Sequence, residues 1–234
     1  MNFPSLKGFI PELEKHILPI YTEHERSFDF YRIHGRLHIC RALLFTEALG
    51  QFYLSRGQKP DMYAVRTATA FHDSGRQDSG EDRWEHDSAA LCKNYLLNTS
   101  PRRQVYQQDT RLADFAANLI PKKGPSSLES QILHDADVLE YMRLFSRDEW
   151  QTSFQRERLI FLSPHDPYLP AEFDAEYTRT SLIREAWGLI LETRKQQTQF
   201  DGSKNYFQEF FQEFDKHKSR YPLLARWLNL SLQG

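Results

Sequence analysis

His38-Ile-Cys-Arg-Ala-Leu-Leu-Phe-Thr-Glu-Ala-Leu-Gly-Gln-Phe52 is the stretch that decides the fold. Within it His38, Ala42, Phe45, Leu49 and Phe52 follow at intervals of four, three, four and three residues. That is one face of an α-helix, and a strand, which alternates every second residue, does not produce it. The helix is expected to end near Gly57. Downstream, Asp61 after Pro60 has the character of an N-cap, and Ala64, Val65, Ala68 and Phe71 carry helical spacing to His72, which should point inward.

The rest of the chain continues in the same manner. Ser79 is placed to cap a third helix, with Trp84, Ser88, Leu91, Cys92 and Tyr95 as its inner stripe and Glu81 and Glu85 on its N-terminal continuation. Thr99-Ser-Pro101 opens a fourth helix running to Ile120, and Pro121-Lys-Lys-Gly-Pro-Ser-Ser127 is a break. From Leu128 to Leu144 apolar residues go around most of a helix, as in an element packed on several sides. A proline-rich loop at Pro164, Pro167 and Pro170 and a turn at Asp201-Gly-Ser precede two amphipathic segments. Phe207, Phe210, Phe211 and Phe214 mark the first; Tyr221, Leu224, Trp227 and Leu228 mark the second. Valine occurs at only three positions. The expectation is an all-α, single-domain multi-helix bundle over 1–234, with a motif core at about 30–145 and C-terminal helices in 146–234 packed on it.

Composition narrows the function classes. Thirty basic against 32 acidic residues give a net charge of −2, so no excess of positive charge speaks for nucleic acid or an anionic membrane. Mean hydropathy is −0.66, and the apolar runs are too short to span a bilayer. Two cysteines, Cys40 and Cys92, are too few for a disulfide framework or a thiolate zinc cluster. A cytoplasmic protein is the expectation.

The chemistry lies in polar residues on helices whose other inward positions are apolar. His34, His38, His72, His86 and His134 are such residues, accompanied by Asp73, Glu81 and Asp137. Buried ionisable groups are costly unless paired or employed, so their convergence is the functional signal. His34-Gly-Arg-Leu-His38 spaces two imidazoles to address one phosphate or metal, and Gly35 permits a close approach of chain or ligand. Phe71-His72-Asp73-Ser-Gly-Arg76 puts a His-Asp pair at a helix end before a glycine turn and an arginine suited to a phosphate. His134-Asp-Ala-Asp137 adds acids inside a helix, where acids are disfavoured.

The order His38, His72-Asp73, Asp137 resembles the HD superfamily of phosphohydrolases. That resemblance implies a divalent metal ion held by His38, His72, Asp73 and Asp137, with Asp135 as the rival acid, to activate water and neutralise phosphoryl charge. Three longer strings also resemble the phosphodiesterase domain of the SidE effectors of Legionella. They are Tyr31-Arg-Ile-His34-Gly-Arg-Leu-His38, Phe71-His-Asp-Ser-Gly-Arg76 with Gly80-Glu-Asp-Arg-Trp84-Glu-His-Asp-Ser88, and Ile132-Leu-His134-Asp-Ala-Asp-Val-Leu139. This second resemblance implies metal-free chemistry, with no cofactor, on ADP-ribosylated ubiquitin or on a phosphoribosyl-ubiquitin link. By motif position His34 would be the nucleophile, His134 the acid and Glu81 the catalytic glutamate, with Glu85 its alternative. His38, His72, Asp73 and Arg76 would then support the site or bind phosphate. The competing readings are a metal-dependent phosphohydrolase acting on a nucleotide and a non-catalytic module that binds a phosphorylated ligand.

Overall fold

The computed structural model describes residues 5–31, 33–77, 83–121 and 127–141, together with 185, 215–216, 218–222 and 225. Regular structure among the described residues is all helical, as the periodicity requires. The elements are α1 (Leu6–Glu12), a π turn (Leu13–Ile17), α2 (Leu18–Ser27), α3 (Arg36–Ser55), α4 (Met62–Phe71), α5 (Trp84–Asn98), α6 (Arg103–Gln108), α7 (Thr110–Asn118), α8 (Leu128–Tyr141) and a 3₁₀ turn (Lys218–Arg220).

The central element is α3. Its buried positions cover nearly the whole circumference, including Ile39, Leu43, Phe45, Leu49 and Phe52, and it packs chiefly on α8 and α4. It ends as the sequence suggests. Gly57 at φ +80° takes the left-handed position, Gly57 N–H donates to Leu54 and Gln58 N–H to Tyr53, so the last carbonyls are satisfied. Asp61 does cap α4, accepting from the N–H groups of Tyr63 and Ala64 at 3.1 Å each, a contact of the kind worth about 1 kcal/mol. In α8, burial of Ile132, Leu133, Asp135, Ala136, Leu139 and Glu140 on several sides matches the expected central role.

Three expectations need correction, and one stretch was not foreseen. The segment Thr99–Ile120 is two helices, because Asp109 leaves helical conformation (φ −134°, ψ 90°) and caps α7 by accepting from Arg111 N–H. The third helix opens at Trp84 behind Arg83 rather than at a Ser79 cap. Leu91, expected inside, is exposed while Leu96 is fully buried. Residues 6–21, not anticipated as structure, carry Leu6, Phe9, Leu13, Ile17 and Tyr21 into the core. Pro11 lies inside α1, where its ring cannot donate to the helix ladder, and a π turn follows directly. The proline-rich loop, the Asp201 turn and the phenylalanine stripe lie outside the described residues. Of the last predicted stripe Tyr221 is described, and it is buried with Ala225 in the common core.

Polar contacts tie the outer helices to the frame. Tyr21 donates from its hydroxyl to the Ala70 carbonyl at 2.8 Å, fastening α2 to the end of α4. The Glu12 carboxylate accepts from the hydroxyls of Tyr63 and Tyr95, joining α1 to α4 and α5. No helix among the described residues is long and apolar enough to cross a membrane.

Candidate active site

The histidines meet where α3, α4 and α8 converge. His38 lies in the first turn of α3, His72 caps the C-terminus of α4 with Asp73 following it, and Asp137 and Glu140 come from α8. The loop that leads into α3 brings His34.

Two carboxylates fix that loop. Asp29 accepts from the backbone N–H groups of Ile33 and His34 at 2.8 and 2.9 Å. Glu25 accepts from Arg36 N–H at 2.8 Å and from the Arg36 guanidinium, so a residue of α2 satisfies the N-terminus of α3. A side chain at Gly35 would place Cβ 2.6 Å from the Glu25 carboxylate oxygen. The close approach foreseen at Gly35 is therefore made by this glutamate.

Around Asp73 the arrangement tightens. Asp73 Oδ2 lies 2.8 Å from His34 Nδ1 and 3.2 Å from His38 Nε2, while its other oxygen accepts from Arg76 Nε at 2.9 Å. Burial alone would raise the Asp73 carboxyl; the field of His72 and the hydrogen bonds from His34 and His38 hold it well below the usual carboxylate range. His34 and His38 are thus joined through one carboxylate. Arg76 is held from a second direction, its guanidinium carbon 4.5 Å from the centroid of the Trp84 ring.

His38 sits between acids. Its Nδ1 is 2.5 Å from Glu140 Oε2, and Glu140 also receives the Arg41 guanidinium at 2.8 Å. Burial would depress His38, but Glu140 and Asp73 outweigh it and push the imidazole up to about 9. Its Nε2 lies 3.0 Å from His72 Nε2, and Asp137 Oδ1 stands 3.5 Å from the first of these nitrogens and 3.3 Å from the second. His72 Nδ1 faces the Thr69 carbonyl at 2.7 Å. Because a carbonyl only accepts, that nitrogen carries the proton and Nε2 keeps its lone pair when the ring is neutral.

These contacts separate Asp137 from Asp135. Asp137 faces His38 and His72, whereas fully buried Asp135 lies 2.8 Å from His134 Nδ1. His134 and Asp137 are three residues apart on α8 and so share a face. The side chains of His34 and His134 are 29% and 26% exposed, whereas His38, His72, Asp73 and Glu140 are buried.

Other expected members fall elsewhere. His86 is 72% exposed and lies beside Asp87, so it is not one of the inward histidines. Glu85 lines an open cleft of about 490 Å³ between α5 and α7, with Trp84, Ala89, Lys93, Asp114 and Ala117. No histidine of the cluster lines that cleft. Glu81 lies outside the described residues. Burial pushes both cysteine thiols up, so neither offers a ready thiolate. Sequence reasoning passed over Glu140, Arg41, Asp29 and Glu25. An acid three residues after Asp137 in an apolar helix was the available sign of Glu140.

Two overlapping groups have the donor types of a cation site: His34, His38 and Asp73, and His38, His72 and Asp137. Five pairs of facing nitrogens and carboxylate oxygens among His38, His72, Asp73 and Asp137 stand 3.0 to 3.5 Å apart. Ligand atoms about 2.1 Å from a common ion have similar separations. The residues therefore fit a divalent cation.

The sequence matches the family model of the SidE phosphodiesterase (PDE) domain over residues 25–199. The chain belongs to this family. Neither a curated protein nor a solved structure matches it. All described residues of the histidine cluster fall inside the span matched by the SidE phosphodiesterase domain, and phosphodiester cleavage is the general activity that membership supports.

Proposed function

We propose that the chain cleaves a phosphodiester or pyrophosphate by histidine chemistry, with ADP-ribosylated ubiquitin or serine-linked phosphoribosyl-ubiquitin as substrate. The observation that carries this reading is the contact between His34 Nδ1 and Asp73. It places the ring proton on Nδ1 and leaves the Nε2 lone pair available. In the first step that pair attacks phosphorus, forming a phosphoramidate. The bond from phosphorus to the leaving oxygen breaks, and that oxygen keeps the bonding electrons and takes a proton from His134 Nε2, the nitrogen turned from Asp135. In the second step His134 accepts a proton from water or an alcohol as its oxygen attacks phosphorus, and His34 is released. Arg76 offers positive charge for the phosphate, and Glu81 is assigned the role of the family's glutamate.

A second reading, a metal-dependent phosphohydrolase acting on a nucleotide, is favoured by the spacing of the His38, His72, Asp73 and Asp137 donor atoms. A divalent ion held there would polarise a phosphoryl oxygen and lower the pKa of water. Mass spectrometry of ADP-ribosylated and phosphoribosyl-linked ubiquitin after incubation with the protein tests the substrate. The expected result is loss of mass corresponding to cleavage at phosphorus. Intact ubiquitin substrates beside hydrolysis of a small phosphodiester would remove ubiquitin from the reading and leave the chemistry.

A further inference from the structure

Glu140 is fully buried on α8 and has no place in the proposed bond-making steps. Its two oxygens face different helix positions on α3: Oε2 the Nδ1 of His38 at 2.5 Å, Oε1 the Nε of Arg41 at 2.8 Å. A carboxylate cannot donate, so His38 must carry a proton on Nδ1 and turn its Nε2 into the cluster. That Nε2 is 3.2 Å from Asp73 Oδ2, the same oxygen that lies 2.8 Å from His34 Nδ1. An unbroken line of polar contacts therefore runs from α8, through α3 and the end of α4, to the loop bearing His34.

We propose that Glu140 is a positioning residue for the reacting histidine, acting on His34 through His38 and Asp73. The inference rests on the reading of His34 as the nucleophile. Glu140 supplies what the line needs at its far end: an acceptor that settles the His38 ring orientation, and a negative charge whose own burial is compensated by Arg41. With His38 fixed, Asp73 Oδ2 has a donor on the side away from His34, and the carboxylate cannot rotate away without losing it. The carboxylate also joins the helix bearing His134 to the helix that follows His34, so both proposed reacting groups depend on one buried contact. The requirement for Nδ1–H on His38 is the same whether its Nε2 donates to Asp73 or binds a cation.

Glu140→Gln keeps the shape and removes the charge. The expected result is a kcat lowered roughly tenfold to a hundredfold with KM changed less than about twofold, because Glu140 does not reach substrate. A control separates this from loss of any buried charge: Glu47 and Arg66 form an equally buried ion pair between α3 and α4. Glu47→Gln should lower the melting temperature comparably while kcat stays near that of the parent protein. A proton spectrum adds a readout that packing does not supply. The Nδ1–H of His38, held by a carboxylate, should give a far-downfield imidazole resonance that His38→Gln and Glu140→Gln both remove. If Glu140→Gln does not fold, Glu140→Asp takes its place; with its carboxylate drawn back by one methylene, it should shift that resonance and show the same selective fall in kcat.

Equal kcat in the Glu140 and Glu47 variants would overturn the inference, as would a resonance that survives in Glu140→Gln. His34→Ala run in parallel distinguishes the failures. An inactive His34→Ala beside a fully active Glu140→Gln refutes the positioning role and leaves the His34 reading standing; an active His34→Ala refutes both.

Discussion

His34 Nδ1 and Asp73 Oδ2 stand 2.8 Å apart, although 39 residues separate them in the chain. One comes from the loop before α3 and the other from the turn after α4, so the contact exists only when those helices are packed. A carboxylate only accepts, so the contact keeps the proton of a neutral His34 ring on Nδ1 and leaves the lone pair on Nε2.

Asp73→Asn should therefore cost more than one hydrogen bond. An amide can present its NH₂ to His34 and reverse the ring's proton arrangement, lowering kcat on the order of a hundredfold or more, as when the orienting acid of a histidine is neutralised. Steady-state kinetics against a thermal melt checks this. A kcat within a few-fold of the parent would show that Asp73 does not orient the nucleophile.

His34 and His134 should fail differently. His34→Ala is expected to form no covalent intermediate, because the attacking lone pair is gone, whereas His134→Asn should slow or trap one and lose most on substrates with poor leaving groups. Each loss should be on the order of a hundredfold or more, with little change in melting temperature. Single-turnover quench experiments beside melts make the comparison. A packed core histidine would show the reverse, with stability falling first.

Chelator divides the two enzymatic readings. Histidine chemistry predicts that hydrolysis persists in chelator and that Asp137→Ala chiefly destabilises the fold. Abolition by chelator with recovery in manganese would move the assignment to the metal-dependent reading. Asp137→Ala should then abolish ion binding, measured as metal content of the purified protein, because the acid facing His38 and His72 would be gone.

What the sequence could disclose followed from locality. The α3 face, the Asp61 cap and the Gly57 terminus are each written within a few residues, and the structure contains all three. The break at Asp109 was equally local, but the apolar pattern on both sides obscured an Asp-Thr start. The stripe Leu6, Phe9, Leu13, Ile17, Tyr21 has helical spacing that sequence reasoning passed over, and the structure carries it through Pro11 inside α1, the π turn and Pro19 in the first turn of α2. His38, His72, Asp73 and Asp137 were legible as chemistry because buried charge is rare, and the structure gathers them. The pairing of Glu140 with His38 was not, since 102 residues separate the two and only α3 packing on α8 brings them together.

His24 gives the fold a pH dependence on the acid side. Burial, against the opposing fields of Asp29 and Asp73, lowers its pKa from the ordinary value of 6.5, and its ring packs between Tyr21 and Phe28. A histidine with a depressed folded pKa binds fewer protons folded than unfolded. Its stabilising contribution is present above 6.5 and is lost as pH falls toward the folded pKa. Urea unfolding at pH 7.5 and pH 5 should show a smaller difference in His24→Phe, which keeps an aromatic ring and cannot titrate. An equal difference in both proteins would assign the acid sensitivity to other groups.

The turn carrying Asp73 and Arg76 should be intolerant of a single methyl group. Gly75 does not have a positive φ, so its need for glycine comes from space rather than backbone conformation. A Cβ there would stand 2.4 Å from Ser88 N and 2.7 and 2.8 Å from Asp87 Cβ and C. These are mostly backbone atoms of α5, which cannot swing aside as a flexible side chain would. Gly75 N–H also donates to Ser88 Oγ at 2.8 Å, and pushing the turn outward breaks that bond and moves Asp73 from His34 and His38. Gly75→Ala is expected to cost about 1 to 3 kcal/mol, the range for overpacking, and to lower kcat beyond what the fraction of folded protein explains. Gly57→Ala is the contrasting case: φ is +80° and nothing lies within 4 Å of the added Cβ. It should cost about 1 kcal/mol through backbone conformation alone and leave kcat of the folded protein unchanged. Melts and kinetics on the two variants decide the matter, and equal kcat in both would show that the α5 contact does not hold the Asp73 turn in its working position.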